Sequence, residues 1–549
     1  MPDEQVHEAG SPERGPTALP EAREHLRVAA MRPVLETPRW WWPAVIVLGA
    51  VVALGVVAWA VQLADGLGVA GYNDQAFWAV YEADLVAFIG VSYGGAVVSA
   101  ILRLTKATWR APLTRIAEAT ALVTLPVGML FIVPHLGSPQ RIWELVWPPY
   151  WNLSSPILWD FFAVSTYLLA TVIFFYLPLI ADLPVAAARL AGRSGLRARC
   201  GRLLYRALGS DRELGVSKRR LIEGSIGLVA IMVIPMAVSV HSVLSFAFAS
   251  SSRPGYLETI FPVYFVVAAL YSGIALVVVA VAACRRLFHL ETFIHPRHFV
   301  RLGFVLVAFG AAYLYLTFTE YLIDGYSGTA GLAAWVRQDL TGRYWIPFWF
   351  YFVAAGVVPL MIMAVRRTRT VGGVVTASSL VIGALWVKRL VIVIPPATEP
   401  LVRSPLAAGG VLAGNWGTYH FTWVPISITL AATAAIPLLL LVVFRFVPIL
   451  PIAEMEELES YEEELAEAIE ITAASAPLSP GGPPGRPLIP PASACAPVDP
   501  PIGPPVRGAP GGVLGFTPGQ AGWPSLRSGG MGVADTPTGR QPFGLGGWR

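Results

Sequence analysis

PAVIVLGAVVALGVVAWAVQLA, residues 43–64, decides the fold: no Lys, Arg, Asp or Glu interrupts it. At 1.5 Å per residue a helix of this length covers the roughly 30 Å of hydrocarbon in a bilayer. Trp40, Trp41 and Trp42 stand directly ahead of it, where interfacial aromatics anchor a span. Working outward, nine further runs of this kind lie near 76–102, 111–134, 156–183, 223–249, 258–283, 300–324, 345–365, 373–396 and 421–446. An all-helical membrane protein of ten spans is therefore expected. The composition agrees: 55% of the 549 residues are hydrophobic and 13% are charged, against about 25% charged in a soluble domain. A single water-soluble core is excluded, and the net charge of +4 gives no reason to expect a nucleic-acid partner.

Lys and Arg in the connections orient the chain. The loops near 103–115, 189–220, 285–301 and 366–369 hold 21 basic residues, whereas the alternate connections hold five, namely Arg141, Arg253, Arg337, Arg343 and Arg403. The positive-inside rule puts the first set, and with it both termini, on the cytoplasmic side. The expected organisation is a polar segment over 1–42, a membrane domain over 43–446, an acidic helix within 447–472 and a Pro- and Gly-rich disordered tail over 473–549. The first 39 residues lack a cleavable signal pattern, so the first run is expected to stay as an anchor. Cys200, Cys284 and Cys495 stand far apart, which gives neither a disulfide framework nor a four-cysteine cluster site.

Ionisable groups inside spans are costly and mark ion, proton or cofactor routes. With the orientation above, Glu82, Asp84, His135, Asp160 and His241 fall in the outer half of the second to fifth spans, and Glu118 falls in the inner half. Glu320 and Asp324 on the seventh span and Lys388 and Arg389 on the ninth also lie in the outer half, where opposite charges can pair. The bland readings are specific. Arg115, Asp182 and Glu223 sit at span ends and read as interfacial, and Glu118 reads as a partner for Arg115 one turn away. His289, His295 and His298 read as solvated loop residues.

An imidazole and a carboxylate near one membrane face suit quinol oxidation, because the hydroxyl loses its proton as the electrons leave. The ring and tail need an apolar slot, and VSYGGAVVSA (91–100), with Tyr93, offers a small-residue face for one. Glu82, Asp84, His241 and Glu118 together would make a proton route.

At these residues the chain resembles a known family. GVSYGGAVVSA (90–100), PHLGSPQRIWEL (134–145) and NLSSPILWDFFAVSTYL (152–168) resemble the NrfD/PsrC membrane subunits of polysulfide reductase and related complexes. SVHSVLSFAFA (239–249), RPGYLETIFPVYFVVAALYSG (253–273), FTEYLIDGYSG (318–328) and PPATEP (395–400) look closer to the ActC subunit of alternative complex III. The resemblance covers roughly 43–446. It implies two four-helix bundles flanked by two further helices, and a quinol site near the outer face of the first bundle. His135 and Asp160 match the family's site histidine and aspartate. It also implies a bacterial cytoplasmic membrane, menaquinone as the expected quinol, and no haem or iron–sulfur cluster in this chain. Implied partners are an iron–sulfur subunit outside, a multihaem cytochrome c and a second NrfD-like membrane subunit. Two departures stand out. The family often has GRP where Gly137, Ser138 and Pro139 stand, which leaves Arg141 as the candidate replacement arginine. Ala247 stands where an acidic residue is frequent.

Other classes remain open on these residues. A quinone-linked anchor of a polysulfide- or molybdoenzyme-type reductase uses the same features. A proton-coupled transporter would also use buried carboxylates and a basic pair, though the chain shows no clear internal repeat. A haem b cytochrome needs facing histidines at one depth, and His241 has none at its level.

The orientation is directly testable through Cys200, in the basic 184–221 connection. A membrane-impermeant maleimide should leave it unlabelled in sealed cells and label it in inside-out vesicles. Labelling from outside sealed cells would reverse the topology.

Overall fold

In the computed structural model the protein is described over residues 18–74, 76–209, 215–251, 253–327, 330–399, 416–458 and 460. The remainder of the acidic segment, the tail with Cys495, and Arg403 lie outside these residues. Among the described residues ten helices are long and apolar enough to cross a membrane, and none of these residues forms a strand.

The helices, in chain order, are α1 (Ala18–Leu35), α2 (Trp41–Asp65), α3 (Val80–Leu104), α4 (Ala111–Leu130), α5 (Ile132–His135), α6 (Pro156–Ala191), α7 (Leu196–Ala207), α8 (Val216–Ala249), α9 (Phe261–Leu287), α10 (Pro296–Ser327), α11 (Ala330–Leu340), α12 (Trp345–Tyr351), α13 (Val358–Ala364), α14 (Val371–Ala397) and α15 (Trp423–Val443). The third span is α4 continued through α5, and the eighth joins α12 to α13. Several spans outrun their apolar stretches: α6 continues to Ala191 and α8 begins at Val216. The basic connection between them is thus largely helical, because Arg and Lys have good helix propensity and snorkel at a span's end.

α3 is the central element. In its most apolar stretch 94% of residues are buried, against 11% for α2. α3 packs against α4, α8, α9 and α14. Small residues permit this. A Cβ on Gly94 would stand 1.9 Å from the backbone of Gly273 on α9, and one on Gly95 would stand 2.1 Å from the Ala117 carbonyl on α4. In lipid, helix association rests on such close backbone approach. α2 and α15 pair in the same way, with Gly55 against Ala431.

The eighth span shows how hydrocarbon treats a broken ladder. Phe352–Val357 is a π-helical turn, followed by Pro359. Proline has no N–H to offer the carbonyl four residues earlier. That carbonyl, on Ala355, accepts instead from Tyr271 Oη at 2.6 Å, so it is not left orphaned in a dry interior.

The segment before the first span is structured where it is described. α1 buries Leu26, Ala30, Met31 and Val34 along one stripe. The chain after α15 lies beside it: Ile449 N donates to Ala30 O at 3.1 Å, and Arg445 donates to Pro33 O at 2.6 Å. This segment continues as a helical stretch over 452–458, the described part of the acidic helix.

Candidate functional site

Gln62 is the one buried amide on α2, an otherwise apolar helix. Its Nε2 donates to Pro134 O at 2.8 Å, and its Oε1 accepts from Tyr81 Oη. This bracket fixes α5 against the start of α3. It brings His135 Nε2 to 3.5 Å from Glu82 Oε2. Asp160 enters from the first turns of α6, whose Pro156 suits a helix start. The Asp160 side chain is buried, its Oδ1 meets no partner, and it lies within Coulomb reach of Glu82 and Tyr93. His135 keeps 15% of its side chain exposed, with Nδ1 unpartnered. The structure therefore gathers Glu82, His135 and Asp160 at one end of α3, with the imidazole facing Glu82.

One level deeper, Tyr93 stacks edge-on against Tyr167 at 4.8 Å and His241 at 5.0 Å between centroids, and Phe265 lies 6.0 Å beyond. The Tyr93 hydroxyl and both His241 nitrogens are buried without hydrogen-bond partners. Asp84 faces elsewhere: Trp386 Nε1 donates to it at 2.6 Å and Thr429 Oγ1 at 2.5 Å. Arg141 stands on the surface, paired with Glu144 at 2.8 Å and 68% exposed.

At the opposite end of α3 the buried charges are paired, and two expectations are corrected. Glu118 does not bond Arg115. It accepts from Ser99 Oγ at 2.6 Å and from Arg103 at 3.0 Å. Arg115 and Asp182 are not interfacial: both are fully buried and pair at 2.7 Å between α4 and α6. Asp182 also accepts from Ala453 N at 2.9 Å, and Glu454 bonds Arg103. The post-α15 segment thus supplies partners that make burial here tolerable. His298 is likewise buried, its Nδ1 accepting the His295 N–H at 3.0 Å, whereas Glu223 and His289 are exposed as expected.

A second polar cluster lies among the later helices. Lys388 Nζ bonds Glu320 at 3.0 Å and sits 5.0–5.3 Å from the ring centroids of Tyr264, Tyr321 and Tyr351. Arg389 takes no part in that pair. It donates to Ser272 Oγ and Leu385 O. Sequence reasoning missed two members, Glu258 and Asp339. Glu258 shares a hydrogen bond with Asp324, and burial beside that carboxylate pushes its pKa up. Asp339 accepts from Tyr321 Oη at 2.7 Å, and burial pushes it up to about 8. Asp339 stands in a connection, where the default reading of a carboxylate is solvent; Glu258 opens the sixth expected run, whereas the helix itself begins at Phe261. No signal in the local sequence marks α11 as folding back over the helix ends. Among the described residues no group of three or more His, Cys, Asp or Glu is arranged to hold a metal ion.

Comparison with known proteins adds to this geometry. The family described as "Polysulphide reductase, NrfD" matches residues 68–398. The chain is 29% identical over 436 residues, 76% of its length and 94% of the relative's, to a putative dimethyl sulfoxide reductase membrane subunit of Halobacterium salinarum. It is 24% identical over 361 residues, 64% of its length and 82% of the relative's, to a selenate reductase subunit of Mesobacillus selenatarsenatis. A shorter match, 29% over 127 residues, 23% of this chain and 31% of the relative, links it to the Hdr-like menaquinol oxidoreductase integral membrane subunit of Archaeoglobus fulgidus.

The Arg115–Asp182 pair makes a stability prediction. Arg115→Met leaves the buried Asp182 without its cationic partner, a loss of about 3–5 kcal/mol. Adding Asp182→Asn removes the unpartnered acid and keeps an acceptor for Ala453 N. Thermal unfolding in detergent should show a marked drop for the single variant and recovery of most of it in the double. Equal transitions for wild type and Arg115→Met would mean the pair contributes nothing.

Proposed function

The chain belongs to the NrfD polysulphide reductase family, and we propose that it is the quinol-oxidising membrane subunit of a respiratory complex, with its chemistry at Glu82, His135 and Asp160. The observation that carries this is the buried, unpartnered Asp160 Oδ1 beside a His135–Glu82 contact at the end of a central helix. Buried polar groups are nearly always satisfied, so unsatisfied ones concentrate where a ligand completes them.

The chemistry follows from the groups. A quinol gives up two electrons and two protons to become the quinone. His135 takes the first hydroxyl proton, and Glu82 at 3.5 Å stabilises the imidazolium that forms. Asp160 accepts from the second hydroxyl. Tyr93 lies behind them as an aromatic wall with a free hydroxyl. The electrons pass to an iron–sulfur subunit on the outer face, since the chain presents no cluster ligands of its own by sequence. Helices α3, α4, α6 and α8 would form the first bundle and α9, α10, α12–α13 and α14 the second, with α2 and α15 flanking. The neighbour relations among these helices support that grouping.

Two complexes fit the same half-reaction. Alternative complex III, with a multihaem cytochrome c and a second NrfD-like subunit, is the reading the sequence resemblance favours. The membrane subunit of a terminal reductase is favoured by the names of the two longer relatives, a dimethyl sulfoxide reductase and a selenate reductase subunit. Menaquinol as the donor is supported by the name of the shorter relative.

His135→Ala and Asp160→Asn should each lower quinol oxidation by about 10²–10⁴-fold in complexes that still assemble. The double variant should lose far less than the product of the two, because the groups act as a unit. Near-normal turnover in an assembled His135→Ala complex would reject the site.

A proton route is a separate part of the proposal. Glu82, Asp84, the Tyr93–His241 level and Glu118 line α3 from end to end. In proteoliposomes Glu118→Gln should keep quinol oxidation and lose proton movement across the membrane. Unchanged proton movement in that variant would leave Glu118 as a partner for Arg103 and nothing more.

A further inference from the structure

The connection between α6 and α8 is the most basic in the chain, and the quinol chemistry leaves it unused. Between Asp182 and Asp211 it carries six arginines and no acidic residue. After Ala191 the chain reverses over 192–195, where Gly195 has φ +118°, and returns as α7, so α6 and α7 form an antiparallel hairpin. Four side-chain bonds fix α7 in place. Arg202 donates to Leu190 O at 2.9 Å and to Arg193 O at 2.8 Å, answering carbonyls that the end of α6 leaves open. Farther along α7, Tyr205 Oη donates to Phe446 O at 2.7 Å, just past α15, and Tyr176 Oη of α6 donates to Leu208 O at 2.9 Å.

These bonds set the depth of α7. Leu190 and Tyr176 stand about 21 Å apart along α6, and α7 runs from beside the first toward the second. Midway between them is Leu183, the last residue of that span's apolar run. α7 therefore descends beside α6 across the boundary between head groups and hydrocarbon. Its two faces differ. Ala198, Gly201 and Tyr205 are buried along one stripe, and a Cβ on Gly201 would stand 2.9 Å from Leu190 Cδ1. Arg199, Leu203 and Arg206, at i, i+4 and i+7, make the opposite stripe, and all three are exposed, Leu203 by 70%. Because α7 runs alongside α6 rather than across its end, this stripe turns sideways, toward lipid. Three of the arginines are used within the chain: Arg189 on Glu24, Arg193 on Leu35 O and Arg202 on α6. Among the described residues no carboxylate lies within ion-pair distance of Arg199 or Arg206.

We infer that this stripe of α7 is a docking surface for an anionic phospholipid: Arg199 and Arg206 hold the phosphate-bearing head group, and Leu203 between them enters the top of the acyl region. A guanidinium fork matches phosphate oxygens in pairs. Basic groups at a membrane surface attract anionic lipid, and an apolar side chain among them adds the burial that holds an interfacial helix down. An acidic protein would satisfy the same arginines only by entering the edge of the bilayer, and the depth of α7 favours lipid over such a partner. The bonds from Arg202, Tyr205 and Tyr176 hold the stripe in place before any lipid arrives. The inference stands whether or not the His135 end oxidises quinol.

The test uses the full chain with its co-purifying partners in lipid nanodiscs. Cys200, exposed on the flank of the same stripe, takes a bimane fluorophore in a Cys284→Ser/Cys495→Ser background. Phosphatidylglycerol and phosphatidylcholine, each carrying a nitroxide near the head of the acyl chain, are introduced separately at equal mole fraction. Both should quench the fluorophore, and phosphatidylglycerol should do so roughly twofold or more strongly. Arg199→Gln/Arg206→Gln should bring its quenching down to that of phosphatidylcholine, whereas Arg199→Lys/Arg206→Lys should keep most of the difference. Leu203→Glu, which puts a negative charge on the stripe, should reverse the order. All three positions are exposed, so the variants should assemble as the parent does. Equal quenching by the two lipids in the parent overturns the inference. So does quenching by aqueous iodide alone, which would put the stripe in water. Quenching by neither lipid nor iodide also overturns it, by placing the stripe against a partner protein.

Discussion

Gly94 and Gly273 bring the backbones of α3 and α9 into contact, and much of the structure depends on that approach. With side chains at either position the two helices would separate, and α3 could no longer be enclosed by α4, α8, α9 and α14. Enclosure has a consequence in hydrocarbon. A polar group on an enclosed helix meets neither water nor headgroup, so it must be answered by a neighbouring helix or by a ligand. α3 carries Glu82, Asp84, Ser92, Tyr93, Ser99 and Arg103, and they are answered in different ways. Ser92 folds back onto Ile89 O at 2.6 Å. Asp84 receives two neutral donors, and Ser99 and Arg103 converge on Glu118.

The charges at the Arg103 end illustrate why burial of an ion pair is a requirement rather than a gain. Taking Arg115 and Asp182 out of water costs several kcal/mol each, and their attraction recovers this only with good geometry and further hydrogen bonds. For Asp182 the second requirement is met from far away in sequence, by Ala453 N, while Glu454 serves the neighbouring Arg103; Arg115 keeps its Nε and Nη1 unpartnered. The chain after the last span is therefore part of the membrane domain's electrostatics. It closes over the helix ends together with α1, through Arg27–Glu456 at 2.6 Å.

The ten spans were legible in the sequence because hydropathy over twenty residues is a strong and local signal. Depth was legible too: His135, Glu82 and Asp160 meet because each lies a turn or two from the same end of its helix. Azimuth was not. The count of residues at 1.5 Å each says how far along a helix a residue lies, but a helix buried on all sides gives no apolar stripe from which to read its rotation. That is why Glu118 read as a partner for Arg115, when the rotation of α4 sends Arg115 to α6 and Glu118 to α3. For the same reason Lys388 and Arg389 read as one basic pair although adjacent helical residues point about 100° apart. Glu258 and Asp339 were missed for another reason. They lie at the edge of an expected run and in a connection, and whether such a segment folds inward depends on tertiary contacts such as Tyr321 Oη to Asp339.

The two ends of α3 differ in kind, and the difference bears on where chemistry can occur. At the Arg103 end every buried acidic side chain has a basic partner. At the other end Asp160 has no hydrogen bond, His135 meets Glu82 at a distance longer than a good hydrogen bond, and Tyr93 and His241 have no polar partner. A packed interior rarely tolerates four such groups within one neighbourhood. The cost is accepted in the folded chain because the groups are held in place by features that do no chemistry themselves: Gln62 bracketing Pro134, and the Tyr93–Tyr167 and Tyr93–His241 ring contacts. Rigid placement with unused hydrogen-bonding capacity is what a proton acceptor for a bound hydroxyl requires. The acids of the paired end are answered by guanidinium groups of the chain itself, whereas Asp160 is not.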